Sequence, residues 1–256
     1  MLFGCLPEVN DRQFLVNDFL GLVRVGPGIG GSTFCWPGGQ NVHPPICMAF
    51  LTWEQAIQKH GDKVPHWQQG QGTQFVTFRL GDALPLSKLR QWREARRVWL
   101  EAHPLPWDEA TKKEYERVFT GRIEDWLDEG MGSCLWRDGG RRRILEETLM
   151  RFQGERVVHH AWVIMPNHVH LLFTPGERWA VPDLIQAWKG HSARRIGQGS
   201  VWQRNYRDTL IRDVGHFGNV LRYIKNNPVR AQLSDGEYSL WVDGASEGQH
   251  SVDVGG

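Results

Sequence analysis

Residues 161–174 read AWVIMPNHVHLLFT, two apolar runs separated by Pro166-Asn167. Proline fixes φ and asparagine tolerates turn conformations, so the pair marks a tight turn. The flanking segments RVVHHAWVIM (156–165) and HVHLLFT (168–174) are then the arms of a β-hairpin. Side chains alternate along a strand, so His168 and His170 project to one face and Val169 and Leu171 to the other. Two imidazoles on one face, about 7 Å apart along the strand, can share a divalent metal. The other reading is a pair of solvated histidines on a half-exposed strand. His159 and His160 point to opposite faces of the preceding arm and read as structural.

A second constellation lies in VGHFGNVLRYIKNNPVR (214–230). Phe217, Val220, Leu221 and Ile224 recur at i, i+3, i+4 and i+7, the apolar stripe of an amphipathic helix. Pro228 is expected to stop that helix, because the residue before a proline is biased out of the helical region. Tyr223 and Asn227 lie four residues apart near one face of its last turn. Tyr223 is off the centre of the stripe, so its hydroxyl can reach a polar site; a half-buried packing tyrosine is the alternative. Tyr206 is the rival, but it precedes a strand and has no ligand-type residue four positions on.

The rest of the chain alternates strands and helices. TQFVTFRL (73–80) and RDTLIRD (207–213) read as strands. Helices are expected over 87–103, capped by Ser87, over 108–130, capped by Asp108 and stopped by Gly130, and over 141–152 and 181–197. Four strands with intervening helices give an α+β domain, a ferredoxin-like or split βαβ antiparallel sheet with helices on one side. The helical segment around 104–130 is an insertion into it. Residues 1–47 lack hydrophobic periodicity and carry GPGIGGSTFCWPGG, so they read as a disordered or misassigned extension. A short helix is expected to lead in from Met48. The domain is expected over 48–233, and the polar, glycine-rich residues 234–256 form a flexible tail.

Composition narrows the function. No run of eighteen apolar residues is present, so no membrane span is expected. Pro7, Glu8 and Asn10 interrupt the apolar start, and no basic stretch precedes them, so no secretory signal is expected. Four cysteines, Cys5, Cys35, Cys47 and Cys134, show no finger spacing. The net charge is only +1, yet residues 151–232 hold twelve Lys and Arg against five Asp and Glu, a local +7. The part that carries the histidines is therefore the part suited to phosphate. Lys189, Arg194 and Arg195 on the 181–197 helix, and Arg204 in VWQRNY, are candidate backbone contacts; a solvated basic face is the alternative. Exposed members of the thirteen tryptophans could stack on unpaired bases.

MPNHVH followed by YIKNNPVRA, with HWQQGQGTQFVTFRLGDALP, GSCLWRD and VWQRNYRDTLIRD at their places, resembles the single-tyrosine HUH transposases. The similarity is to the REP-associated branch, over roughly residues 64–233. It implies that His168 and His170 are metal ligands with Asn227, that the metal is Mg²⁺ or Mn²⁺, and that Tyr223 is the nucleophile. It implies cleavage and rejoining of single-stranded DNA beside a hairpin, through a 5′-phosphotyrosine link, by a cytoplasmic, nucleoid-associated monomer or homodimer. A hairpin-binding descendant that no longer cuts is the alternative. A histidine-based nucleotide hydrolase fits poorly. Position 172 is leucine where a histidine triad needs its third imidazole, and no paired H-x-[ST] motif is present.

Overall fold

The structure is a computed structural model and describes residues 49–52, 56, 58–60 and 66–244. The expected extension over 1–47 lies outside the described residues. Strands β1 (Gln58–His60) and β2 (His66–Gln68) pair with each other. A five-stranded antiparallel sheet is built from β3 (Gln74–Arg79), β4 (Val157–Ile164), β5 (His168–Pro175), β6 (Arg207–Leu210) and β7 (Ser239–Val242). Its order is β6-β3-β5-β4-β7.

The first four of these strands follow the β-α-β-β-α-β path of a ferredoxin-like sheet, with order 4-1-3-2. The crossover helices are α4 (Gly139–Met150) and α5 (Val181–Ile196). Both lie on one side, as the sequence implied, and Leu145, Leu149, Leu184, Ile185 and Trp188 bury Val76, Phe78, Val169, Leu171 and Phe173. The sheet's other face is not left to solvent, however. Phe75, Ala161, Val163 and Leu172 point there, and helix α6 (Val214–Arg230) covers them with Phe217, Val220, Leu221 and Ile224. Strands apolar on both faces need cover on both. A β-bulge between His159 and Ala161 sends His159 against Trp188 and His160 against Phe217.

The insertion between β3 and β4 holds helices α1 (Leu86–Ala102), α2 (Glu109–Tyr115) and α3 (Gly121–Asp128). The expected helix over 108–130 is one path whose middle, Glu116–Thr120, widens into a π turn. Asp108 caps it by accepting from the Thr111 N–H at 2.8 Å, and Gly130, at φ +66°, ends it. Ser87 is not the cap of α1; that helix starts from Pro85 with no side-chain cap. Trp92, Trp99, Tyr115 and Phe119 form an aromatic core inside the insertion.

Three other expectations are corrected. The helix leading in from Met48 is absent from the described part. The Leu51 N–H bonds Ile211 O and Ala49 O accepts from Thr73, so this stretch runs extended beside the sheet, and Gln58–His60 is a strand. Pro228 does not stop α6, which continues to Arg230. A proline in the last turn forfeits one N–H, while the Ala231 N–H still bonds Asn227 O and the Leu233 N–H bonds Pro228 O. The domain does not end at 233, because β7 adds a fifth strand against β4. Trp241 stacks on Trp162 at 6.1 Å, and Arg142 donates to Ser239 Oγ and to Gly236 O, each at 2.7 Å.

Candidate metal and nucleophile site

The site lies where β5 faces α6. Register sets one row across three strands: Arg207 of β6 lies opposite Thr77 of β3, which lies opposite His170 of β5. His168 is the next residue on that face, opposite Arg79. The two imidazoles are 1% and 2% exposed. Their Nε2 atoms converge to 3.1 Å, with the rings nearly perpendicular at 79°. Each Nδ1 has its own partner at 2.7 Å, Asn167 Oδ1 for His168 and Thr77 Oγ1 for His170.

Burial dominates the electrostatics. It pushes His168 down to about 3, and Arg230 adds to the effect. His170 is held well below its ordinary value, first by burial, then by His168, Arg207 and Arg230. Both rings are therefore neutral at physiological pH, the form that ligates metals.

Helix α6 brings Tyr223 and Asn227 over these rings. Asp213 starts the helix by accepting from the His216 N–H at 2.7 Å, and the apolar stripe docks it on Phe75, Val163 and Leu172. The Tyr223 hydroxyl is 3.5 Å from His170 Nε2, and its ring stands edge-on to His170 and Phe75. Its phenol is pushed up, first by burial and then by Glu124, while Arg230 pulls it down. Asn227 is 1% exposed, and neither of its amide atoms has a hydrogen-bond partner. It also favours the charged form of His168, as a nearby amide oxygen does. Among the described residues no three of His, Cys, Asp and Glu cluster as a metal site. The donor set here is two imidazoles and one amide. Two imidazole nitrogens aimed at each other at 3.1 Å, beside a buried amide, fit a divalent cation.

The remaining sequence candidates lie elsewhere. Tyr206 stacks on His66 at 3.7 Å, and burial and Asp208 push its phenol up. Helix α5 packs on the opposite face of the sheet from His168 and His170, so Lys189, Arg194 and Arg195 do not reach the histidines. Lys189 Nζ donates to the carbonyls of Gln203, Arg204 and Asn205, and burial lowers it to about 8. Arg195 pairs with Glu147 at 2.8 Å, and Arg194 and Arg204 are exposed.

The cations that do reach the site are Arg207 and Arg230. Arg230 stacks over the Tyr223 ring at 5.4 Å and bonds Asp128 at 2.6 Å; Glu124 lies 3.7 Å from Arg207 and 3.8 Å from Arg230. Both carboxylates come from α3 of the insertion. Arg230 was legible as i+7 to Tyr223, on the same helix face. Arg207 depends on strand register, and the carboxylates on how the insertion docks, so no local pattern carries them.

Residues 142–227 match the IS200-like transposases. The match holds His168, His170, Tyr223 and Asn227 together. The ISDra2 transposase TnpA of Deinococcus radiodurans is 52% identical over 33 residues, 13% of this chain. The chain spans only 24% of that relative's length. Two solved structures align at 17% identity. A REP-associated tyrosine transposase bound to a REP hairpin covers 71% of this chain and 74% of its own, with a TM-score of 0.40. A transposase-like protein of Deinococcus radiodurans R1 covers 60% and 89%, with a TM-score of 0.27. Among the described residues no helix is long and apolar enough to cross a membrane.

Proposed function

We propose that the chain is a metal-dependent single-stranded DNA endonuclease and strand transferase that acts beside DNA hairpins through a 5′-phosphotyrosine link. The observation that carries this reading is the approach of the Tyr223 hydroxyl to His170 within 3.5 Å, with His168 and Asn227 against the same point. His168, His170 and Asn227 hold Mg²⁺ or Mn²⁺, which supplies positive charge at the non-bridging oxygens of the scissile phosphate. Tyr223 is the nucleophile. Its oxygen bonds to phosphorus, the bond to the 3′ oxygen breaks, and that oxygen leaves with the electron pair and takes up a proton. The phenol–phosphate ester keeps the energy of the cleaved linkage, so the strand can be rejoined without ATP. In the resting site burial keeps Tyr223 protonated, and the Arg230 guanidinium over its ring favours the phenolate that attack requires.

The hairpin substrate rests on the motifs shared with the REP-associated branch. Arg194 and Arg204, exposed and away from the histidines, suit the DNA backbone outside the cleavage point. The protein acts in the cytoplasm on the nucleoid, as a monomer or homodimer.

The test is incubation with single-stranded hairpin DNA and Mg²⁺ or Mn²⁺, followed by a denaturing gel. A covalent adduct is expected from wild type and Tyr206→Phe, and none from Tyr223→Phe or His170→Ala. An adduct from Tyr223→Phe but not Tyr206→Phe would move the nucleophile. Tight hairpin binding with no adduct at any metal would leave the non-cutting descendant as the function.

A further inference from the structure

Asn167 sits in the turn of the β4–β5 hairpin and is fully buried. Its Nδ2 donates to two main-chain carbonyls of the insertion, Leu127 and Met131, each at 3.1 Å. Its Oδ1 lies 2.7 Å from Nδ1 of His168. A carboxamide has donors at one end only. Turned over, it would set its oxygen against two carbonyl oxygens, so the insertion decides which end faces the imidazole. That end is an acceptor. His168 Nδ1 must therefore carry the hydrogen, and Nε2 must be bare. Nε2 is the atom that faces His170.

We infer that Asn167 is a positioning residue: clamped by the Leu127 and Met131 carbonyls, it fixes the ring orientation and tautomer of His168. The inference rests on the cation reading above. It gives the insertion a task at the site, since the Leu127 and Met131 carbonyls, in and just past the end of α3, reach His168 through a single side chain. Thr77 does not fix His170 in the same way, because a hydroxyl can donate to Nδ1 or accept from it. His168 is the preset ligand of the pair, and His170 is the one free to change tautomer as a cation arrives.

Imidazole ¹⁵N shifts distinguish a protonated from a bare nitrogen. Long-range ¹H–¹⁵N spectra of the metal-free protein read them, with His168 identified by the signals lost in His168→Gln. Mn²⁺ affinity is read separately by electron paramagnetic resonance of the free ion. Wild type should show His168 with hydrogen on Nδ1. Asn167→Leu keeps the volume and removes both hydrogen-bonding ends; it should mix the tautomers and weaken Mn²⁺ roughly tenfold to a hundredfold. Asn167→Asp keeps an acceptor at Nδ1, so it should hold the wild-type tautomer and stay within about threefold in affinity, at a lower melting temperature. An unchanged tautomer in Asn167→Leu, or a lost one in Asn167→Asp, overturns the inference, and the aspartate arm decides alone if the leucine variant does not fold. A wild type that binds no Mn²⁺ sinks the cation reading, while the tautomer comparison still decides the role of Asn167.

Discussion

Acidification from about pH 7 to about pH 5.5 should cost the fold roughly 3–4 kcal/mol through three buried histidines alone. Burial pushes His159 down to about 4, opposed in part by its bond to the Leu149 carbonyl. Burial, then the neighbouring His159, pushes His160 down to about 3, and His168 also falls to about 3. In the unfolded chain all three titrate near 6.5. The unfolded state therefore takes up protons first as the pH falls. The stability from these neutral rings is complete above 6.5 and is lost steadily below it, until the folded values are reached. Each group loses about 1 kcal/mol across the window. For a domain of this size, that lowers the melting temperature by roughly 7–14 °C. Urea unfolding of metal-free protein across the window measures the slope directly. His170, held well below its ordinary value, and His216, lowered by burial to about 4, add to the same slope, so the double variant His159→Gln, His160→Gln should remove a little under half of it. A flat profile in wild type, or the same slope in the double variant, would refute the claim that these rings are buried and neutral.

Three further outcomes follow from the packing. Asp128→Asn releases Arg230 from its 2.6 Å ion pair beside Tyr223; single-stranded DNA should bind more tightly, with a log–log salt slope steeper by about one, measured by fluorescence anisotropy. Lys189→Met removes the cation that holds three carbonyls of the 203–205 loop. It should cost about 1–3 kcal/mol in urea unfolding. Removing residues 234–256 strips β7 from β4 and uncovers Trp162, which is 4% exposed. A loss of roughly 3–5 kcal/mol is expected, and an unchanged melting temperature would mean that β7 does not belong to the sheet.

What was legible in the sequence was local. The turn at Pro166-Asn167 and the alternation around it fixed the hairpin and the shared face of His168 and His170. The α6 stripe and the four-residue spacing put Tyr223 and Asn227 on one turn. The β-α-β-β-α-β order followed from the succession of elements. The failures were of three physical kinds. Helix propensity in the segment after Met48 lost to strand pairing with a partner that local patterns do not reveal. The proline rule is weak in a last turn, where only one hydrogen bond is at stake. β7 is four residues long, flanked by polar chain, and declares itself only by stacking Trp241 on Trp162.

Charge counting was the least reliable guide, and the reason lies in topology. The basic excess over 151–232 is real, but it divides between the two faces of the sheet. Lys189, Arg194 and Arg195 go with α5 to one side, Arg207 and Arg230 to the other. Only the second pair adds field at the histidines, and α3 answers it with Glu124 and Asp128. The sheet edge at β6 and the last turn of α6 thus deliver two cations to one point, and the insertion returns two anions. A phosphate entering there competes with carboxylates already seated, at partly exposed pairs whose own worth is small. The balance favours the incoming strand only when a cation joins His168 and His170, since neutral imidazoles contribute no charge. Nucleic acid and metal should therefore bind with positive coupling: each tightens the other, and by linkage the two factors must be equal.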